Sequence, residues 1–230
     1  MTKDAADGEN RANATDSGGD NEMSEVSPEV TRLVLGPLQT NCYLLVCPET
    51  HAALVIDPAD EAEEIVRAAE SKSARIEQIL LTHMHPDHVD ALPTLRETTG
   101  ARVLAHRLDV EMVKKHGRFY GLRPELLPTL LPDVELKGGE VISIGRVSGT
   151  VIHTPGHTPG SISLRVADLL FTGDTLFAQG VGRVDLPGGN LEQLLQSIQH
   201  LFTLPEDTTV YPGHGPYSTI GAEKRDNPYI

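Results

Sequence analysis

Residues 82–88 read Thr-His-Met-His-Pro-Asp-His, so three imidazoles and one carboxylate (His83, His85, Asp87 and His88) fall within six residues. Neutral imidazole nitrogen and carboxylate oxygen are the donors that suit Zn²⁺ and other first-row divalent ions. The run follows the apolar Ile79-Leu80-Leu81, which reads as a buried strand, and precedes a stretch from Asp90 that reads as a helix start. In extended backbone His83 and His85 project to the same side. Pro86 suits a helix entry, where its missing N–H costs nothing, which puts Asp87 and His88 on the first helical turn. Two donor pairs leaving the chain in different directions imply two metal ions rather than one.

Further donors follow downstream, in His153-Thr-Pro-Gly-His157, Phe171-Thr-Gly-Asp174 and Tyr211-Pro-Gly-His214. Each lies in a Gly/Pro turn just after a short apolar or β-branched run, so several strands deliver one polar side chain each to a common edge. Strand-end loops on a rigid sheet are where chemistry usually sits. His83, His85, Asp87, His88, His157, Asp174 and His214 together are enough for two ions.

The H-x-H-x-D-H run, the later single His, the Gly-Asp and the final Pro-Gly-His, in this order, resemble the metallo-β-lactamase superfamily. The subgroup most similar is the short, single-domain glyoxalase II-like hydrolases, and the resemblance runs from about Leu33 to the C-terminus. It includes Thr40-Asn-Cys-Tyr-Leu, Ile56-Asp-Pro, Gly180-Val-Gly-Arg-Val-Asp and Gly213-His-Gly-Pro. The resemblance implies an α+β fold, a four-layer αββα sandwich. It also implies that His83, His85 and His157 hold one ion, that Asp87, His88 and His214 hold the second, and that Asp174 bridges them. Zn²⁺ is the expected metal, with Fe or Mn as alternatives. His153 matches no ligand position and is expected to pack or support.

Two adjacent dications would lower the pKa of water from about 15.7 to near 7, so that hydroxide is available to attack an acyl carbonyl. A thiolate leaving group, with a free pKa of about 8.5, needs little help from an acid. The implied activity is therefore hydrolysis of an acyl-thioester such as S-lactoylglutathione, with Asp87 and Asp174 as the catalytic carboxylates. A mononuclear-iron persulfide dioxygenase shares most of these ligands, and lactone hydrolysis uses the same hydroxide; both stay open. Asp57, before Pro58 at a strand end, is expected to hold a ligand imidazole by hydrogen bond. Arg183, in a Gly-rich loop, suits a substrate carboxylate, or else an ion pair with Asp185 or Glu192. Where long-form glyoxalase II proteins carry a Lys and an aromatic after the bridging Asp, this chain has Gly182-Arg183-Val184-Asp185. The irregular stretch Leu108–Pro132, which includes Tyr120, reads either as a connector or as a cover that touches substrate.

Composition bounds the rest. The net charge of −14 argues against nucleic acid, since phosphate binding needs a basic surface. Residues 1–27 hold seven acidic and two basic residues and almost no large apolar side chain, so they are expected to form a disordered acidic tail. Residues 28–230 then form one hydrolase domain. No apolar run approaches the roughly 20 residues needed to span a bilayer, and no signal-peptide core is present, so a cytoplasmic location is expected. Oligomeric state is left undetermined. Cys42 and Cys47, an odd number of residues apart on or near one strand, read as reduced thiols on opposite faces.

The elements that must position the donors are short. Thr31–Gly36, Asn41–Cys47 and Ala52–Ile56 read as strands, Asp60–Ser71 as a helix, and Ile76–Leu81 and Arg102–Ala105 as further strands. Segments at Glu140–Ile144, Thr150–Ile152, Ser161–Val166 and Leu169–Phe171 read as an antiparallel meander. Leu191–Phe202 reads as an amphipathic helix, and Val210 sits on the last strand.

Overall fold

β2 (Thr40–Val46) is buried at every position, although its sequence, TNCYLLV, does not look uniformly apolar. Successive side chains of a strand point to opposite faces, so full burial means that both faces are covered. Cys42, Leu44 and Val46 enter one core with helical residues such as Ile65 and Leu92, while Tyr43, Leu45 and Cys47 enter another with residues such as Leu164 and Phe171. The two cysteines are free, buried and on opposite faces.

The computed structural model describes residues 26–119, 122, 125 and 127–230. The acidic tail lies outside them except for Val26 and Ser27, and Tyr120 lies outside them too. The first six-stranded sheet has the order β1-β2-β3-β4-β5-β6: β1 Glu29–Leu35, then β2, β3 Ala52–Ile56, β4 Arg75–Leu80, β5 Arg102–His106 and β6 Val134–Leu136. β1, β2 and β3 pair antiparallel, whereas β3 through β6 run parallel. Parallel neighbours need crossovers. These are α1 (Ala62–Ser71), the pair α2 (Pro86–Val89) and α3 (Leu92–Thr99), and then α4 (Arg107–His116) with α5 (Leu127–Leu130).

The second sheet has the order β14-β13-β10-β9-β8-β7. β7 (Val141–Ile144), β8 (Val147–His153), β9 (Ile162–Val166) and β10 (Leu169–Gly173) form the expected antiparallel meander. β13 (Thr209–Pro212) joins β10 in parallel after α6 (Leu191–Leu201). A small hairpin, β11 (Leu176–Phe177) with β12 (Gly180–Val181), stands apart; β14 (Ser218–Thr219) and α7 (Ile220–Asp226) end the chain.

Three cores stack these parts into four layers. Helices α1, α3 and α4 cover the outer face of the first sheet, the two sheets pack face to face, and α6 covers the second sheet through Leu194, Ile198 and Leu201. This is the αββα sandwich expected from the sequence. Among the described residues no helix is long and apolar enough to cross a membrane.

Candidate metal centre

All candidate donors sit at one edge, and the sheet topology explains why. β3 and β4 are parallel, so Asp57 and the 82–88 loop leave from the same end. β8 and β10 are both antiparallel to β9 and therefore run together, and β13 is parallel to β10. His157, Asp174 and His214 thus leave from one end of the second sheet. Backbone hydrogen bonds join the two edges: Ile162 N donates to Thr82 O at 2.9 Å and Asn41 N to Gly213 O at 2.7 Å.

The 82–88 loop has the local form expected from its sequence. His85 is in extended backbone and caps α2, whose first turn holds Pro86, Asp87 and His88. The side chains then gather into two triads that share no residue, His83 with His85 and His157, and Asp87 with His88 and His214, while a third grouping, Asp57 with His83 and His88, links them; within each, one donor atom per residue lies within 4.8 Å of the others. His157 Nε2 is 3.2 Å from His83 Nε2 and 2.9 Å from His85 Nδ1. Asp174 stands between the triads, with Oδ1 3.4 Å from His88 Nε2 and Oδ2 3.6 Å from both His157 Nε2 and His214 Nε2.

Such packing of lone pairs fits metal ions. Buried polar atoms are ordinarily hydrogen-bonded, yet His88 Nε2 and Asp174 Oδ1 are buried and have no hydrogen-bond partner among the described residues. The backbone makes room at the same place. A Cβ on Gly213 would come within 2.2 Å of Asp174 Oδ1. Gly173, at φ +49, brings Asp174 past Thr82 so closely that a Cβ would meet Thr82 Oγ1 at 2.3 Å.

The electrostatics divide the triads. Burial, followed by neighbouring histidines, depresses the first: His83 falls well below the ordinary imidazole value, His85 falls to about 3, and His157 is lowered mainly by burial. In the second, burial works against protonation but carboxylates outweigh it. Asp174 and Asp57 hold His88 well above its usual value, and Asp87 raises His214. Burial raises the Asp87 pKa, but the bond with His214 and the charge of His88 outweigh that and bring it to about 2; His88 likewise holds Asp174 down.

Two buried carboxylates hold the loops. Asp57, with φ +52, accepts from Thr82 N at 2.7 Å and Thr82 Oγ1 at 2.6 Å, and lies 2.9 Å from His88 Nδ1. A left-handed non-glycine residue is strained and persists where its surroundings hold it. Asp57 is thus placed against the ring of His88, one of the candidate ligands. Asp109 on α4 is the residue that sequence reasoning missed. It accepts from Met84 N at 3.0 Å, Thr158 Oγ1 at 2.9 Å and Gly160 N at 2.7 Å, so it ties the His83–His85 loop to the His157 loop. Burial lifts its pKa to about 6 against those three bonds. The one available signal was a carboxylate beside Val110, Met112 and Val113 on the buried face of an amphipathic helix.

Arg183 takes the ion-pair option. Its Nε and Nη2 donate to Asp185 at 2.7 Å each, with both side chains exposed. The main chain of Arg183 reaches the centre instead, its carbonyl lying 2.7 Å from His157 Nδ1. Glu192 is not its partner; it accepts from Gln196. His153 stays off the centre, stacked on His106 and 2.9 Å from Pro159 O.

Residues 35–214 match the model of the metallo-beta-lactamase superfamily. The hydroxyacylglutathione hydrolase GloC of Haemophilus influenzae is 36% identical over 200 residues, covering 84% of this chain and 93% of that protein. Among solved structures, TTHA1623 in a di-iron-bound form superposes with a TM-score of 0.76 at 37% identity, over 87% of this chain and all of that one. ETHE1 from Myxococcus xanthus gives a TM-score of 0.76 at 32% identity, over 87% of this chain and 83% of that one.

Proposed function

Because this chain belongs to the metallo-β-lactamase superfamily, we propose that it is a binuclear, metal-dependent hydrolase acting on acyl-thioesters in the manner of glyoxalase II. The observation that carries the reading is the pair of triads with Asp174 between them. His83, His85 and His157 would hold one ion, and Asp87, His88 and His214 the other, with Asp174 shared. Divalent ions bound there supply Lewis acidity, which brings the pKa of water to near 7 and polarises a carbonyl.

The chain's own residues do the rest. His83, His85 and His157 stay neutral and so keep their lone pairs for coordination. Thr40 Oγ1 donates to Asp87 Oδ2 at 3.1 Å, which turns that carboxylate toward His214, 3.3 Å away. Asp57 fixes the His88 ring through Nδ1 and so presents Nε2 to the centre. A thiolate leaves without a dedicated proton donor, which suits a site whose carboxylates are held ionised.

The likeness to GloC supports the thioester, and the likeness to ETHE1 keeps a second reading, persulfide oxygenation at one iron. Metal analysis of the purified protein, run beside thioester, lactone and persulfide substrates, separates them. The expected result is two ions per chain and fastest turnover on the thioester. A ceiling of one iron per chain after reconstitution, with oxygen consumed on the persulfide, would replace the hydrolase by the dioxygenase.

A further inference from the structure

Among the described residues, two cavities of opposite character lie beside the centre, and both reach the β1–β2 hairpin tip at Leu38. One, of about 260 Å³, reaches Asp87 and carries Asp60 and Asp90 on otherwise largely apolar walls. The other, of about 400 Å³, reaches His214, and among the described residues Arg32 is the single Lys, Arg, Asp or Glu lining it. That volume falls within the range for small ligands. Val34 and Leu38 supply exposed apolar wall.

Arg32 is held in place but not neutralised. Its Nη1 donates to Gly215 O at 3.2 Å, one residue beyond His214. Its guanidinium carbon lies 4.8 Å from the centre of the Tyr217 ring, close enough for cation–π attraction. Asn41 Nδ2 donates to the same Gly215 carbonyl at 3.0 Å, which anchors that loop to β2. Among the described residues Arg32 has no carboxylate partner. A guanidinium carries five N–H donors in a planar fork, so most remain for a ligand. Arg183 differs on this point, since its charge is already paired with the Asp185 carboxylate.

We propose that Arg32 receives a carboxylate of the substrate in the His214 cavity, and that the enzyme therefore prefers acyl-thioesters carrying a carboxylate. The acidic cavity at Asp87 repels that group, so the carboxylate-bearing arm lies over Arg32 and the uncharged arm over Leu35 and Pro86. This rests on the thioesterase reading and supplies the anion contact that Arg183 does not.

The test uses the metal-loaded full chain and a matched pair of thioesters that differ only in a carboxylate or its primary amide. Wild type should favour the carboxylate, and Arg32→Ala should cut that preference about tenfold, chiefly through KM, the size of one hydrogen bond to a charged group. Arg32→Lys should restore part of it. An equal loss on both substrates would overturn the proposal and leave Arg32 as an anchor for Gly215. If neither thioester is hydrolysed, the thioesterase reading fails on its own, and the matched non-hydrolysable thioethers then decide. Calorimetry showing tighter carboxylate binding that Arg32→Ala abolishes upholds the contact, and equal binding of acid and amide refutes it.

Discussion

His83, His85 and His157 form a dry triad of three imidazoles that burial keeps neutral, whereas Asp87, His88 and His214 mix carboxylate with imidazoles whose protonated forms carboxylates favour. Exposure differs too: the side chains of His214 and Asp87 are 28% and 23% exposed, while the first triad is almost fully covered. Two members of the second triad are thus reached by solvent, although its third, His88, is fully buried. The arginine-bearing cavity opens beside His214, on that second side.

The strongest way to break this division is at Asp174, which stands between the triads. Asp174→Ala should cost at least about 100-fold in turnover and weaken both ions, measured by steady-state hydrolysis beside elemental analysis. Near wild-type turnover with full metal would remove Asp174 from the centre.

The supporting carboxylates offer a finer contrast. Asp57→Asn should weaken the ion of the second triad by about 10–100-fold, and Asp109→Asn that of the first by a similar factor. Asp57 meets the His88 ring directly, while Asp109 bonds Met84, between His83 and His85, and Thr158 and Gly160, beside His157. Chelator competition reads the two sites separately; loss of the same ion in both variants would dissolve the distinction.

Acidification sharpens the comparison with the smallest effect. A raised imidazole pKa means that protons compete with metal at higher pH. His88 and His214 are raised above the ordinary 6.5, while His85 is lowered to about 3 and His83 and His157 are also lowered. As pH falls from neutrality the second triad should lose its ion first, so that dialysis at stepped pH finds a plateau of one ion per chain about one pH unit wide. A single step from two ions to none would show that the triads act as one.

The candidate ligands are legible in the sequence because each follows a short strand and stands in a Gly/Pro turn, where a polar side chain has no packing reason to recur. The outer layer is legible in the single apolar stripe of α6, whereas the mixed sequence of β2 hides its burial on both faces. Asp109 is hidden because its three partners come from loops far away in the chain. β6 is hidden because three residues are too few to show a period. The helix expected from Asp90 begins two residues later, at Leu92 of α3 with Pro93 in its first turn, and Asp90 and Ala91 separate it from α2, which carries Asp87 and His88 as expected. A loop sequence also does not encode side-chain direction, which is why the pairing of Arg183 with Asp185 is seen only in the structure.

Each triad takes two residues from the first sheet's half of the chain and one from the second. Metal occupancy is therefore a reporter on the docking of the halves, since neither half alone offers a complete coordination set. By linkage, ions bound only by the docked form stabilise it in proportion to the logarithm of their free concentration. Stripping them should loosen the seam at Thr82–Ile162 and Asn41–Gly213 before either sheet melts. In a cell poor in metal, the interface between the sheets would become the point at which proteolysis begins.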